Sequence, residues 1–191
     1  MRLLMHICCS NCAVLPLSSM LDKGHGITGL WFNPNIHPED EYDRRMNAVR
    51  EMASVLAIDM EYRGGYGLEE FMRQLEESGA GRPGRCRVCY AMRMRETARE
   101  CASGGYDAFT TSLLISPFQD HDLLVGEAES AARLYGARFH YEDFRPVWKD
   151  GQAIARGMGF YRQYYCGCVY SKAERDADRA ARAGKVRGSA G

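Results

Sequence analysis

The amino-acid sequence predicts an α/β protein with a single doubly wound parallel sheet of about five strands, followed by a C-terminal helix. Two observations lead to this fold class. Apolar runs of strand length alternate with segments of helical periodicity, and right-handed crossovers between such strands produce a parallel sheet. The chain also has 191 residues, 46% of them hydrophobic, which is enough to bury the core of one domain over residues 1–191.

The predicted strands are short runs rich in apolar and β-branched residues, such as the opening RLLMHI and the later ITGLWF. In chain order they cover residues 2–7, 27–32, 58–63, 106–114 and 137–142. The turn NPNIHPE at 33–39 follows the second strand, and its Asn-Pro pair is a turn signal.

The predicted helices carry apolar residues at spacings of three and four, most clearly between Glu39 and Leu56. They cover residues 11–22, 39–56, 67–77, 87–102 and about 14 residues after Asp120. A loop is expected at 79–85, and an irregular region rich in aromatic residues and glycine at 143–168. The tail 171–191 is expected to be a charged helix that frays.

Charge and hydropathy limit the ways in which this chain can meet nucleic acid or membrane. The formal net charge is zero, so no global field draws the chain to nucleic acid or membrane, and such a partner must be met by a local patch. No apolar stretch approaches the roughly 20 residues of a membrane span. The N-terminal apolar run is too short for a signal peptide. We therefore expect a cytoplasmic protein that does not bind membranes.

Eight cysteines are unusual for a chain in a reducing compartment, where metal binding or catalysis explains them better than structural disulfides. Seven of them fall into three groups, whereas Cys101 stands alone along a helix and is expected in the core. The groups are Cys8, Cys9 and Cys12; Cys86 and Cys89; and Cys166 and Cys168.

The first two groups each contain a C-x-x-C pair where a helix begins, a position that favours thiolate. Four thiolates suit a [4Fe–4S] cluster and also one structural zinc ion, and unrelated core cysteines are a third interpretation. Adjacent side chains such as those of Cys8 and Cys9 diverge, which is awkward for a single tetrahedral ion and favours the cluster. Cys8 and Cys9 end the first strand, and Thr110 to Gln119 leave the fourth, so both segments face the crevice where such sheets bind ligands.

The third group, Cys166-Gly167-Cys168, has one residue between its thiols. A disulfide of this spacing is strained and easily reduced, which is typical of a catalytic or regulatory pair. Two further metal ligands explain the same residues equally well.

Basic and aromatic residues are interleaved near the second and third cysteine groups. Arginine suits phosphate, and tyrosines such as Tyr164 and Tyr165 suit stacking on an unpaired base. A solvated helix face and an aromatic core explain the same residues. Near the second cysteine group the arginines are Arg82, Arg85, Arg87, Arg93, Arg95 and Arg99. Near the third group, Arg162 lies among tyrosines.

Taken together, five stretches resemble the QueH family of epoxyqueuosine reductases. They are HICCSNC (6–12), FNPNIHP (32–38), CRVCYAMRM (86–94), FTTSLLISPFQ (109–119) and YRQYYCGCVYS (161–171). The resemblance implies reduction of epoxyqueuosine to queuosine at the wobble position of a tRNA anticodon. It also implies a Rossmann-like fold similar to that of the adenine nucleotide alpha hydrolases.

The resemblance further implies roles for the cysteines. Cys166 and Cys168 are expected as the redox-active pair, and Cys12 as a ligand of a second, mononuclear metal, iron or zinc, beside the cluster. Ser10-Asn11 stands where Ala-Pro is common in the family, which alters the surroundings of the ligands. The cluster ligands implied are Cys8, Cys9, Cys86 and Cys89.

The expected partners are a tRNA that bears epoxyqueuosine and an unidentified electron donor. Candidates for the proton donor are Asp107, Asp120 and Tyr90. Two other functions remain open: a zinc-stabilised RNA-binding module without catalysis, and a tRNA sulfur-transfer enzyme. Sulfur transfer needs a nucleotide site, and the sequence has no glycine-rich phosphate loop.

Overall fold

The computed structural model of the chain describes residues 1–79 and 84–188. The expected loop at 79–85, including Arg82, falls largely outside the described residues, as does the end of the tail. The strands are β1 (Arg2–His6), β2 (Gly26–Trp31), β3 (Asp59–Tyr62) and β4 (Ala108–Thr111). The helices are α1 (Ser10–Asp22), α2 (Glu39–Leu56), α3 (Leu68–Glu77), α4 (Gly84–Ser103), α5 (His121–Tyr135), α6 (Trp148–Gly157) and α7 (Val169–Gly188).

The strands form a parallel sheet in the order β3-β2-β1-β4. β1 is central, and Met5 pairs with Gly29 on one side and Thr110 on the other. A Cβ atom at Gly29 would lie 2.2 Å from the Met60 sulfur and 2.6 Å from Ile7 Cδ1, so any larger residue would require these two side chains to move. A parallel sheet whose strands alternate with helices confirms the predicted doubly wound α/β class.

A fifth strand does not form within the described residues. Phe139 makes only an isolated parallel bridge to Phe109, with backbone hydrogen bonds of 2.8 Å on either side. β4 is also shorter than expected, because residues 112–115 turn into a 3-10 helix. Thr111 Oγ1 accepts a hydrogen bond from Leu113 N at 3.2 Å at the start of that turn.

The helices pack in two groups, α1 with α2 and α6, and α4 with α3 and α5. The crossovers to β2 and β3 run one way across the sheet and the crossover to β4 runs back, so right-handed connections put these groups on opposite faces. The side chains of β1 are buried between them, and Leu3, Leu4 and Met5 are fully buried.

Helix α6 corrects the expectation of an irregular segment at 143–168. It carries Gly151 in its middle, where a Cβ atom would lie 3.0 Å from Ile115 Cδ1. Glycine weakens the helical signal in the sequence, but here it allows α6 to approach the 3-10 helix after β4. In the described part of the chain, no helix combines the length and apolar character needed to cross a membrane.

Candidate metal–thiolate site

A cavity of about 590 Å³ opens where β1 and β4 end, at the point where the strand order reverses. This is the usual ligand position in doubly wound sheets. The seven grouped cysteines all line it, and Cys101 is buried elsewhere in the core, as expected. The lining thiols are Cys8, Cys9, Cys12, Cys86, Cys89, Cys166 and Cys168.

The first thiol group lies between β1 and the N-terminus of α1. Cys9 caps the helix in an extended conformation, and Cys12 lies in its first turn. The three Sγ atoms of Cys8, Cys9 and Cys12 all lie within 4.8 Å of one another. These three thiols can hold a metal ion, because thiolates converging on one point are ligands for zinc and iron.

Cys8 is the thiol of this group that ionises first. Hydrogen bonds from Cys12 and Cys9 hold the pKa of Cys8 well below its usual value. The pKa of Cys12 is raised because it donates to Cys8, and burial raises the pKa of Cys9. Ser112, just after β4, accepts from the backbone N–H of Cys8 at 3.0 Å and places its Oγ 3.3 Å from Cys8 Sγ.

The second thiol group lies in the first two turns of α4, which begins earlier than predicted and includes Cys86. Burial raises the pKa of Cys89 to about 11. Arg93, one turn further along, is only 3% exposed and places Nη2 at 3.0 Å from Cys89 Sγ. This buried cation compensates negative charge on the thiolates, which is otherwise costly in a buried site.

The third thiol group lies in the loop before α7. The Sγ atoms of Cys166 and Cys168 are 3.6 Å apart, and Ser171 Oγ lies 2.9 Å from Cys166 Sγ. The hydrogen bond from Cys168 lowers the pKa of Cys166 to about 5, whereas the same bond raises the pKa of Cys168. Cys166 is exposed and Cys168 buried. The geometry therefore provides one accessible thiolate with a second thiol beside it.

A buried ion pair on α2 fixes this loop. Arg45 pairs with Glu41 at 2.7 Å, and both side chains are over 90% buried. The same guanidinium donates at 3.1 Å to the carbonyls of Tyr165 and Cys166. Gly167 has φ +120°, and a Cβ atom there would lie 3.0 Å from Ile36 Cγ1, so glycine is required between the two cysteines.

Tyr165 belongs to this support, and it also lines the cavity. Its hydroxyl donates to the carbonyl of His37, and the guanidinium groups of Arg45 and Arg175 lie 5.1 and 4.8 Å from the centre of its ring. Tyr164 lines the cavity as well and is 71% exposed, so its ring is the more accessible of the two for stacking.

Gln163 brings an amide to the first thiol group. Its Nε2 lies 2.7 Å from Cys9 Sγ. Asn11 Nδ2 donates to Gln163 Oε1 at 2.9 Å and to the Tyr161 carbonyl at 2.7 Å, which orients the glutamine amide. The sequence singles out Asn11 as a departure from the family pattern, but it gives no signal for Gln163, whose role depends on a contact 154 residues away.

Among the described residues, the arginines between positions 85 and 99 do not form one charged face. Arg93 is buried against Cys89, and Arg95 is exposed. Three others form ion pairs with glutamate side chains. Arg82 lies outside the described residues. These ion pairs are Arg85–Glu174 at 2.7 Å, Arg87–Glu127 at 3.5 Å and Arg99–Glu96 at 2.7 Å.

Two of the three candidate proton donors line the cavity, and the third does not. Asp107 lies at the opposite edge of the sheet, where its carboxylate accepts from Arg2 N at 2.7 Å, so it is not a proton donor for this cavity. Asp120 and Tyr90 line the cavity. The Tyr90 hydroxyl donates to Gln119 Oε1 at 2.6 Å.

The donor set fits a multinuclear metal–thiolate centre. Thiols approach one cavity from α1, α4 and the loop before α7, so ligands are available from several directions, as a cluster requires. The buried guanidinium of Arg93 and two helix N-termini favour the negative charge that such a centre carries.

Known proteins with related sequences cover most of this chain. The family model described as epoxyqueuosine reductase QueH matches residues 3–174. A protein of that name from Dehalococcoides mccartyi is 37% identical over 91% of this chain and 94% of its own length. Another, from Thermotoga maritima, is 30% identical over 90% and 91%.

A solved structure confirms the type of fold. It is described as a predicted subunit of tRNA methyltransferase from Methanocaldococcus jannaschii, with a TM-score of 0.53 and 11% identity over 86% of this chain and 93% of that one. This likeness shows a shared α/β fold and nothing about activity. The sequence match decides the family: the chain belongs to the QueH family of epoxyqueuosine reductases.

Proposed function

We propose that this protein reduces epoxyqueuosine to queuosine at the wobble position of a tRNA anticodon, in the cytoplasm, with electrons from a separate donor. The observation that carries the proposal is the cavity lined by seven cysteines in a chain of this family. Unpaired thiols of this number persist only in a reducing compartment. Loss of the epoxide oxygen as water, leaving an alkene, takes up two electrons and two protons.

The ligand assignment that we propose gives each thiol group a separate task. Cys12 is the ligand available to a second, mononuclear metal, iron or zinc, because its sulfur is close to both Cys8 and Cys9. A bound cluster supplies single electrons at low potential, and a metal beside it supplies a Lewis acid. The four thiolates proposed for the [4Fe–4S] cluster are Cys8, Cys9, Cys86 and Cys89.

Cys166 and Cys168 are proposed to act as the redox pair. Oxidation of the two thiols to one disulfide releases two electrons and two protons, which matches what removal of one epoxide oxygen requires. Cys166 is the exposed thiolate of the pair, so an external reductant reaches it first. Arg45 and Gly167 hold the loop in which the two sulfurs remain 3.6 Å apart.

Anaerobic purification followed by iron and sulfide analysis, with an assay on tRNA bearing epoxyqueuosine, tests this proposal. We expect a brown protein with activity, and loss of iron and sulfide in the Cys86→Ser/Cys89→Ser double variant. Cys101→Ser is the matched control, because Cys101 is buried away from the cavity. Full iron loading in the double variant would contradict the ligand assignment.

A zinc-stabilised RNA-binding module is the second candidate. The closeness of the Cys8, Cys9 and Cys12 sulfurs favours it, because a single tetrahedral ion takes thiolates that converge on one point. A colourless protein that contains one zinc ion and binds tRNA without reducing it would establish this alternative.

A further inference from the structure

The mouth of the cavity carries aromatic side chains that the cysteine chemistry does not use. Phe118 is 79% exposed and Tyr164 is 71% exposed, and Trp148 lies beside Phe118. All three line the same cavity as the thiols. Single exposed apolar residues are common on protein surfaces, but three aromatic residues around the entrance of one cavity are typical of a binding site.

Phe118 is held in place although its ring is exposed. It lies in the turn between the 3-10 helix and α5, where its backbone N–H donates to Ser116 Oγ at 3.3 Å. The next two residues are tied to Tyr90, because Gln119 accepts from the Tyr90 hydroxyl at 2.6 Å and Asp120 N donates to it at 3.3 Å.

Trp148, at the start of α6, packs against the Phe118 ring with centroids 5.4 Å apart and an interplanar angle of 86°. This edge-to-face contact is a favourable arrangement for two aromatic rings. A fixed aromatic ring loses little conformational entropy when a ligand stacks on it, so it binds better than a mobile ring.

We propose that Phe118, supported by Trp148, stacks on an unpaired nucleobase next to the epoxyqueuosine nucleoside in the anticodon loop. This inference rests on the proposed function. A nucleoside that reacts inside a cavity must leave the stack of its loop, so its neighbour loses a stacking partner, and an aromatic side chain at the entrance replaces it.

The polar residues at the same entrance favour a nucleic acid over an apolar peptide. Arg162 is exposed and lines the cavity, where it can meet the phosphate that joins the two nucleosides. Gln119 and Gln152 also line it, and their amides match the edges of bases.

Equilibrium binding of an anticodon stem-loop tests the inference, with 2-aminopurine placed in turn on each side of the wobble nucleoside. We expect wild-type protein to quench the fluorescence of one label. Phe118→Ala should weaken binding about 5- to 150-fold and abolish the quenching, because stacking on an aromatic side chain contributes roughly 1–3 kcal/mol per base. Its salt dependence should not change, since no phosphate contact is lost.

Phe118→Trp should restore both affinity and quenching. Leu134→Ala is the control, because Leu134 is 63% exposed on α5 and does not line the cavity. Wild-type affinity and quenching in Phe118→Ala would overturn the inference while the proposed function stands. If wild-type protein neither binds the stem-loop nor reduces epoxyqueuosine in it, the proposed function itself fails, and the inference fails with it.

Discussion

Gln163 Nε2 lies 2.7 Å from Cys9 Sγ, although the two residues are 154 positions apart in the chain. Hydrogen bonds to ligand sulfurs raise the potential of an iron–sulfur cluster, because they stabilise the more negative reduced state. We therefore expect Gln163→Leu to lower the midpoint potential in a redox titration followed by electron paramagnetic resonance. A loss of about 1 kcal/mol of differential stabilisation corresponds to roughly 40 mV for one electron.

Asn11→Ala should move the potential in the same direction by a smaller amount, because it removes the group that orients the Gln163 amide. Gln152→Leu is the control, since Gln152 lines the same cavity but its amide donates to the Asn11 carbonyl, at 3.4 Å. Iron and sulfide contents should match wild type in all three variants. An unchanged potential in Gln163→Leu would show that this hydrogen bond is absent from the loaded protein.

The pKa of Cys166, lowered to about 5, predicts unusual alkylation kinetics. Only the thiolate reacts with iodoacetamide, and above its pKa the thiolate fraction is already complete. In the reduced protein, the rate at Cys166 should therefore stay nearly constant from pH 6 to 8. An ordinary thiol, with a pKa of about 8.5, reacts close to tenfold faster for each pH unit in this range.

Cys168→Ala removes the hydrogen bond that is the main cause of the lowered pKa. In that variant the alkylation rate of Cys166 should rise steeply between pH 6 and 8, as measured by mass spectrometry of the labelled peptide. A steep rise in wild-type protein would show that Cys166 is protonated at neutral pH and that the hydrogen bond from Cys168 does not stabilise its thiolate.

The ion pair between Arg45 and Glu41 should control stability as well as the shape of the cysteine loop. Arg45→Met leaves Glu41 buried without its cation, which should lower the free energy of unfolding by about 3–5 kcal/mol. Adding Glu41→Gln should recover part of that loss. Both are measured by urea unfolding of the reduced, metal-free protein. Arg73→Met breaks only exposed pairs, with Glu70 and Glu77, and should cost about 1 kcal/mol or less.

The sequence predicted the fold class because strand and helix periodicities are local. Helix α2 is the clearest case, with observed bounds of Glu39–Leu56 equal to those predicted. The errors fall where tertiary contacts override local signals. Gly151 obscures α6, and the 3-10 turn after Thr111 shortens β4.

For the candidate site, the spacing of the cysteines was enough to locate the crevice, because residues that end neighbouring parallel strands must meet at one edge of the sheet. The family expectation is confirmed by sequence relatives over most of the chain. The positions of the arginines in the sequence could not show which of them enter the site and which face solvent. Arg93 and Arg95 are two positions apart on α4, so they point in different directions, one into the site and one to solvent.

Exposure at the cavity and existing ion pairs decide which arginine should contact RNA. Arg162 is exposed and lines the cavity, whereas Arg99 is held by Glu96 and Glu100 at 2.7 and 2.5 Å. Arg162→Gln should weaken binding of the anticodon stem-loop and flatten the plot of log affinity against log salt concentration. One lost contact with a single-stranded phosphate removes about 0.7 from the slope.

Arg99→Gln should leave both affinity and slope unchanged, because its charge is already neutralised by two carboxylates. It is therefore a matched control, with the same substitution at an exposed arginine outside the cavity. The opposite pattern, a flatter slope in Arg99→Gln with wild-type binding in Arg162→Gln, would place the RNA along α4. In that case the acidic partners of Arg99 would have to release it, and Glu96→Gln should then strengthen binding.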